Sequence, residues 1–140
     1  MQTEKPSNVY ILDNASTDGT EQLLENEGYI DTVKNGIRFI YILNERNEGG
    51  AGGFYKGMYL AFNSDFYDAL WVMDDDGVPN TNCLELMIPY IDKYDYISPL
   101  SVSSENSCMT SFMGYSVEEF KRRAVAGMYR LPPSLYEIFI

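Results

Sequence analysis

A mostly parallel α/β sheet flanked by helices is predicted by three observations. The apolar runs Val9–Leu12, Ile37–Leu43 and Ala69–Met73 are short and rich in β-branched and aromatic residues, as buried strands are. Stretches with helical spacing separate these runs, and strands alternating with helices build parallel sheets. The first and third runs end abruptly in acid, at Asp13 and Asp74. Open parallel sheets bind their ligands beyond the carboxyl ends of their strands.

Taken in order, Val9–Leu12 feeds a polar loop holding Asn14, Ser16, Thr17, Asp18 and Gly19. Asp18 and Glu21 have the spacing of a capping pair, with Leu23 and Leu24 as the apolar side of a short helix that fades near Gly28. The strand Ile37–Leu43 leads into Asn47-Glu48-Gly49-Gly50-Ala51-Gly52-Gly53, and a helix is predicted over Phe54–Phe62. The strand Ala69–Met73 stops at Asp74-Asp75-Asp76-Gly77. Thr81 or Asn82 then caps a helix with Leu84, Met87, Ile88 and Ile91 inward, which Pro89 should kink or shorten. A further strand is expected at Tyr96–Val102, a polar loop at 103–111, and a capping box at Ser116–Glu119 opening a helix to about Ala126. Leu131-Pro132-Pro133 ends that helix, and Leu135–Ile140 is apolar.

The bulk properties narrow the function. The 140 residues, 45% hydrophobic and 22% charged, suit one globular domain over 1–140. Ten Lys and Arg against 21 Asp and Glu give a net charge of -11, which repels polyphosphate backbones, and basic residues cluster only at Lys121, Arg122 and Arg123. Nucleic acid is therefore not an expected partner, whereas a nucleotide can be held if a divalent cation bridges carboxylates to phosphate. The two cysteines, Cys83 and Cys108, lack C-x-x-C spacing and no histidine is present, so the usual zinc patterns are excluded and free thiols in a reducing compartment are expected. Neither a membrane span nor a signal peptide is legible, and the expectation is a soluble, cytoplasmic chain.

Three segments carry the chemistry. Trp71-Val72-Met73-Asp74-Asp75-Asp76 delivers adjacent carboxylates whose mutual repulsion a cation would relieve. In extended geometry Asp74 and Asp76 point the same way and Asp75 the other. A solvated acidic turn is the plainer reading, and an EF-hand fits poorly because Val78 falls on a ligand position. At the first strand end, Asp13 can accept hydrogen bonds from a base or ribose, with small residues beside it leaving room; alternatively it is a turn former. A dehalogenase-type phosphatase motif would need a second acid where Ala15 stands. The glycine-rich stretch matches neither the dinucleotide fingerprint nor a P-loop, since Gly57 follows Lys56. It suits either close backbone approach to a ligand, with Lys56 facing phosphate, or close packing of a helix on the sheet.

Together, Asp13–Thr20, Asn47–Phe54 and Trp71–Asp76 resemble, in order, the Asp-Asn-x-Ser-Thr-Asp-Gly-Thr, Asn-x-Gly-Gly-Ala-Gly-Gly-Phe and Trp-x-x-Asp-Asp-Asp motifs of family 2 glycosyltransferases of the GT-A fold. The resemblance is to the galactofuranosyltransferase-like and rhamnosyltransferase-like branch and covers roughly Val9–Leu100. It implies an inverting transfer of sugar from a UDP- or dTDP-sugar to a glycan or lipid-linked acceptor, as in polysaccharide biosynthesis. The nucleotide-binding residues it implies are Asp13, Asn14, Ser16, Asn47, Gly49, Gly50, Gly53, Lys56, Asp74 and Asp75, with Mn2+ or Mg2+ on Asp74 and Asp76. The family adds a strand and helix before the Asp13 strand and an acceptor wall, base and often a histidine beyond position 140. The chain is thus expected to be the donor-binding part of a domain truncated at both ends, with its catalytic base elsewhere and little activity alone. Such a chain would self-associate through its incomplete sheet, and the full-length protein would sit at the inner face of the membrane. The competing reading is a nucleotide-binding module without turnover.

Overall fold

A computed structural model of the chain describes residues 2–64, 67–102, 116–119 and 122. These fall into two compact units, Glu4–Val78 and Met1–Thr3 with Pro79–Ile140.

The first unit is an α/β unit around a three-stranded mixed sheet. Its elements are β1 (Asn8–Asp13), α1 (Thr20–Asn26), β2 (Thr32–Lys34), β3 (Ile37–Leu43) and α2 (Gly49–Ser64), with the strands in the order β1-β3-β2. β1 and β3 are the two apolar runs, paired in parallel from Asn8 opposite Arg38 to Asp13 opposite Leu43. That register brings both strands to their carboxyl ends together. The helix α1 forms the crossover that a parallel pair needs. Asp18 starts it by accepting hydrogen bonds from Thr20 N and Oγ1 at 3.1 and 2.6 Å, while Gly19 turns the chain at φ 90°.

The strand β2 is not anticipated by hydrophobic patterning. It joins β3 antiparallel through a two-residue turn, Asn35-Gly36, with φ of 52° and 81°. Positive φ at both central residues is the signature of a type I′ hairpin. Beyond β2, the side chain of Asp31 takes over from the ladder and accepts the Tyr41 N–H at 3.1 Å.

The helix α2 starts five residues earlier than the predicted Phe54, inside the glycine stretch. Glycine is a poor helix former, and packing outweighs that propensity here. A Cβ on Gly53 would lie 3.2 Å from Leu12 Cδ2, and one on Gly57 3.9 Å from Leu12 Cδ1. Gly53, Gly57 and the buried Ala61 thus form a stripe of small residues at i, i+4 and i+8 that lets α2 sit close on β1.

The expected strand Ala69–Met73 does not form. Its apolar run is present, but a strand exists only by pairing, and among the described residues the run joins no ladder, although β1 is an edge strand with one side open. Leu70, Val72 and Met73 are 42 to 46% exposed, not buried. Tyr67 anchors the chain just before this run, bonded to Asn8 Nδ2 and Tyr10 Oη at the start of β1.

In the second unit, α3 (Cys83–Met87) passes into a 3-10 turn at Ile88–Tyr90, as Pro89 requires. Asn82 holds the N-cap position without a side-chain cap; Gln2 Oε1 instead accepts the Leu84 N–H at 3.0 Å. Cys83 is a buried free thiol whose pKa burial raises. The expected strand at Tyr96–Val102 reduces, among the described residues, to an isolated bridge at Val102. Ser116 Oγ accepts the Glu119 N–H at 3.1 Å, the N-terminal half of the capping box. The polar loop at 103–111, the rest of that helix apart from Arg122, Cys108, Leu131-Pro132-Pro133 and Leu135–Ile140 lie outside the described residues.

Candidate functional site

The parallel pair delivers Asp13 to the end of β1 beside Leu43, and Asn44 N–H donates to the Asp13 carbonyl at 2.8 Å to hold the strand ends together. Asp13 is only 4% exposed, so its charge must be met by donors. The donors are present. Oδ1 accepts the Ser16 N–H at 2.7 Å, which Ala15 makes possible by turning the chain at φ 61°. Oδ2 accepts the Tyr41 hydroxyl at 2.7 Å. Burial alone would raise the Asp13 carboxyl, but the hydrogen bonds from Ser16 and Tyr41 outweigh it and hold the pKa below the ordinary value of 3.8. Burial and the neighbouring carboxylate push the Tyr41 phenol upward, so the pair stays carboxylate and neutral phenol.

Asn14 binds the glycine segment. Its Nδ2 donates to Asn47 Oδ1 at 3.1 Å and to the Gly49 carbonyl at 3.0 Å. Its Oδ1 accepts Asn44 Nδ2 and the Glu48 N–H, both at 3.0 Å. Asn47 Oδ1 also accepts the Gly49 N–H at 2.8 Å, and Gly49 turns at φ 71° into α2. About two turns into the helix, Lys56 Nζ donates to Asn44 Oδ1. Lys56 and Asn44 line an open pocket of about 300 Å3 with Leu43, Glu45, Arg46 and Glu48. Asp13, Asn14, Ser16, Asn47, Gly49 and Lys56 therefore form one hydrogen-bonded patch with Asn44 and Tyr41 where β1 and β3 end, and Gly53 packs beneath it on Leu12 and Asn14. Gly50 has open space where a side chain would lie.

Tyr41 and Asn44 were not among the residues singled out by sequence. Tyr41 lies within an apolar run, and its hydroxyl is the only hint; Asn44 is the first polar residue after β3, and the strand register is needed to see that it faces Asn14.

The acidic segment is different in kind. A 3.3 Å bond from Gly77 N–H to the Asp74 carbonyl closes a turn, so the strand-like alternation expected of Asp74, Asp75 and Asp76 does not hold through the motif. All three are exposed. Among the described residues, no three His, Cys, Asp or Glu side chains converge as a ready cage for a metal ion. Their hard oxygen donors nonetheless fit Mg2+ or Mn2+, which are commonly held by one or two carboxylates while phosphate completes the shell. No described helix is long and apolar enough to cross a membrane.

The family model for glycosyl transferase family 2 matches residues 1–136. The chain belongs to glycosyl transferase family 2. Within that family it is similar to galactofuranosyltransferase GlfT1 of Mycolicibacterium smegmatis, at 34% identity over 80 residues. The similarity covers 56% of this chain and only 23% of that relative's length. No solved structure matches the chain. For a family 2 member, the α/β class is as the sequence implied, with a sheet that is small and mixed.

Proposed function

We propose that this chain is the donor-binding part of an inverting glycosyltransferase that uses a UDP- or dTDP-sugar and a glycan or lipid-linked acceptor. The observation that carries this reading is Asp13: a buried carboxylate held charged and oriented at a strand end, beside a glycine-rich helix start. Asp13 accepts hydrogen bonds from the base or ribose, with Ser16 fixing its orientation. Asn14 and Asn47 shape the turn, Gly49, Gly50 and Gly53 allow close backbone approach, and Lys56 faces the phosphates. Asp75 serves the ribose with Asp74. Asp74 and Asp76 would hold Mn2+ or Mg2+, which when bound supplies positive charge against the departing diphosphate. The transfer is a single in-line displacement at the anomeric carbon, and a carboxylate outside this residue set deprotonates the acceptor hydroxyl. A galactofuranosyl donor is the first to test, because the similar mycobacterial protein is named for that sugar.

Calorimetric titration of UDP and dTDP, with and without Mn2+, tests the reading. Binding of one nucleotide, strengthened by Mn2+, supports it; no binding of either contradicts it. A module that holds nucleotide without turnover is the second reading, favoured by the exposure of Asp74, Asp75 and Asp76. Acceptor-dependent UDP release from a UDP-sugar separates the two.

A further inference from the structure

Asn44 is 3% exposed, so its amide must be satisfied internally, and the way it is satisfied is directional. A lysine ammonium can only donate, so Lys56 fixes which end of Asn44 is the oxygen. Nδ2 of Asn44 then faces Asn14 Oδ1, an oxygen independently identified by the Glu48 N–H that also donates to it. Asn14 Nδ2 in turn faces the Gly49 carbonyl, an obligate acceptor. Donors thus run one way from Lys56 through Asn44 and Asn14 to the turn at Asn47–Gly49, and the two middle positions need side chains that both donate and accept, as an amide does.

We propose that Asn44 is a positioning residue that sets Lys56 and, through Asn14, the Asn47–Gly49 turn as one unit for donor binding. This rests on the donor-site reading above. A neutral amide has a second consequence: it orients the ammonium toward the pocket it shares with Asn44 without cancelling its charge, as a carboxylate there would. Asn44 itself touches no donor atom in this account and acts through its two partners.

The test uses the 140-residue chain, with Asn44→Asp, Asn44→Leu, Lys56→Met and the Asn44→Leu, Lys56→Met double variant. Circular dichroism establishes which are folded. UDP affinity is measured in Mn2+ by calorimetry, and hydrogen exchange is followed at the Glu48 amide. Asn44→Asp keeps the shape but opposes an acceptor to Asn14 Oδ1 and neutralises Lys56, so it carries the test if Asn44→Leu does not fold. Each Asn44 variant is expected to weaken UDP about tenfold, the scale of one hydrogen bond to a charged group, and to speed Glu48 exchange. On the Lys56→Met background the same Asn44→Leu change should cost less than in the unaltered chain, because its route through Lys56 is gone and only the route through Asn14 remains. Folded Asn44 variants that bind UDP like the unaltered chain would overturn the proposal, as would an undiminished loss on the Lys56→Met background. If the unaltered chain binds neither UDP nor dTDP, the donor reading fails by itself and Glu48 exchange decides: faster exchange in the Asn44 variants supports positioning of the turn, and unchanged exchange overturns it.

Discussion

Asp13 and the Asp74–Asp76 segment follow the same sequence pattern, an apolar run ending in acid, yet the fold treats them in opposite ways. Asp13 is buried, bonded by Ser16 and Tyr41, and kept below its ordinary pKa. Asp74, Asp75 and Asp76 are exposed in a turn. The difference lies in the partner strand. β1 lies against β3, which supplies Tyr41 and leads into Asn44, whereas the run at 69–73 joins no ladder among the described residues. The Asp13 patch is organised by the protein, whereas under the proposed function a ligand would have to organise the acidic turn.

The largest expected effect comes from breaking the organised half. Asp13→Ala removes a buried carboxylate and leaves two part-buried donors, the Tyr41 hydroxyl and the Ser16 N–H, without their acceptor, which should cost about 2 kcal/mol of stability in urea denaturation. A loss below about 0.5 kcal/mol would place Asp13 with ordinary surface acids. Tyr41→Phe removes one of those bonds while keeping the ring, so about 1.5 kcal/mol is expected, with the Asp13 carboxyl moving up in an NMR titration.

The pH dependence has a definite sign. Because the folded pKa of Asp13 is lowered, its contribution is fully present above the ordinary value of 3.8 and is lost as pH falls through the folded value. The stability gap between the unaltered chain and Asp13→Asn should therefore close on acidification below that ordinary value; a gap that widened there would reverse the assignment. The smallest effect belongs to the acidic turn: Asp76→Ala should change stability by no more than about 0.5 kcal/mol, since exposed residues away from special geometry rarely do more.

The same contrast explains what was legible in the sequence. β1 and β3 could be read because their apolar runs do become strands, and Asp13 could be read because it ends one of them. The run at 69–73 misled because hydrophobicity predicts burial but not a hydrogen-bonding partner. β2 went unseen because Val33 is its only apolar residue, although Asn35-Gly36 is the dipeptide that a two-residue hairpin demands. The start of α2 was placed too late because glycine propensity argued against a helix that packing on Leu12 sustains. Tyr41 and Asn44 needed the parallel register, which no local pattern encodes.

The proposed contrast between a protein-built Asp13 patch and an acidic turn that a ligand organises is tested most directly by the affinity for Mn2+, read as free ion by electron paramagnetic resonance with and without UDP. Linkage requires each ligand to tighten the other by the same factor. The account predicts weak Mn2+ binding alone, tightening by about tenfold or more with UDP as phosphate completes the shell, and loss of that gain in Asp76→Ala. Equal Mn2+ affinity with and without UDP, or a gain that survives Asp76→Ala, would contradict it.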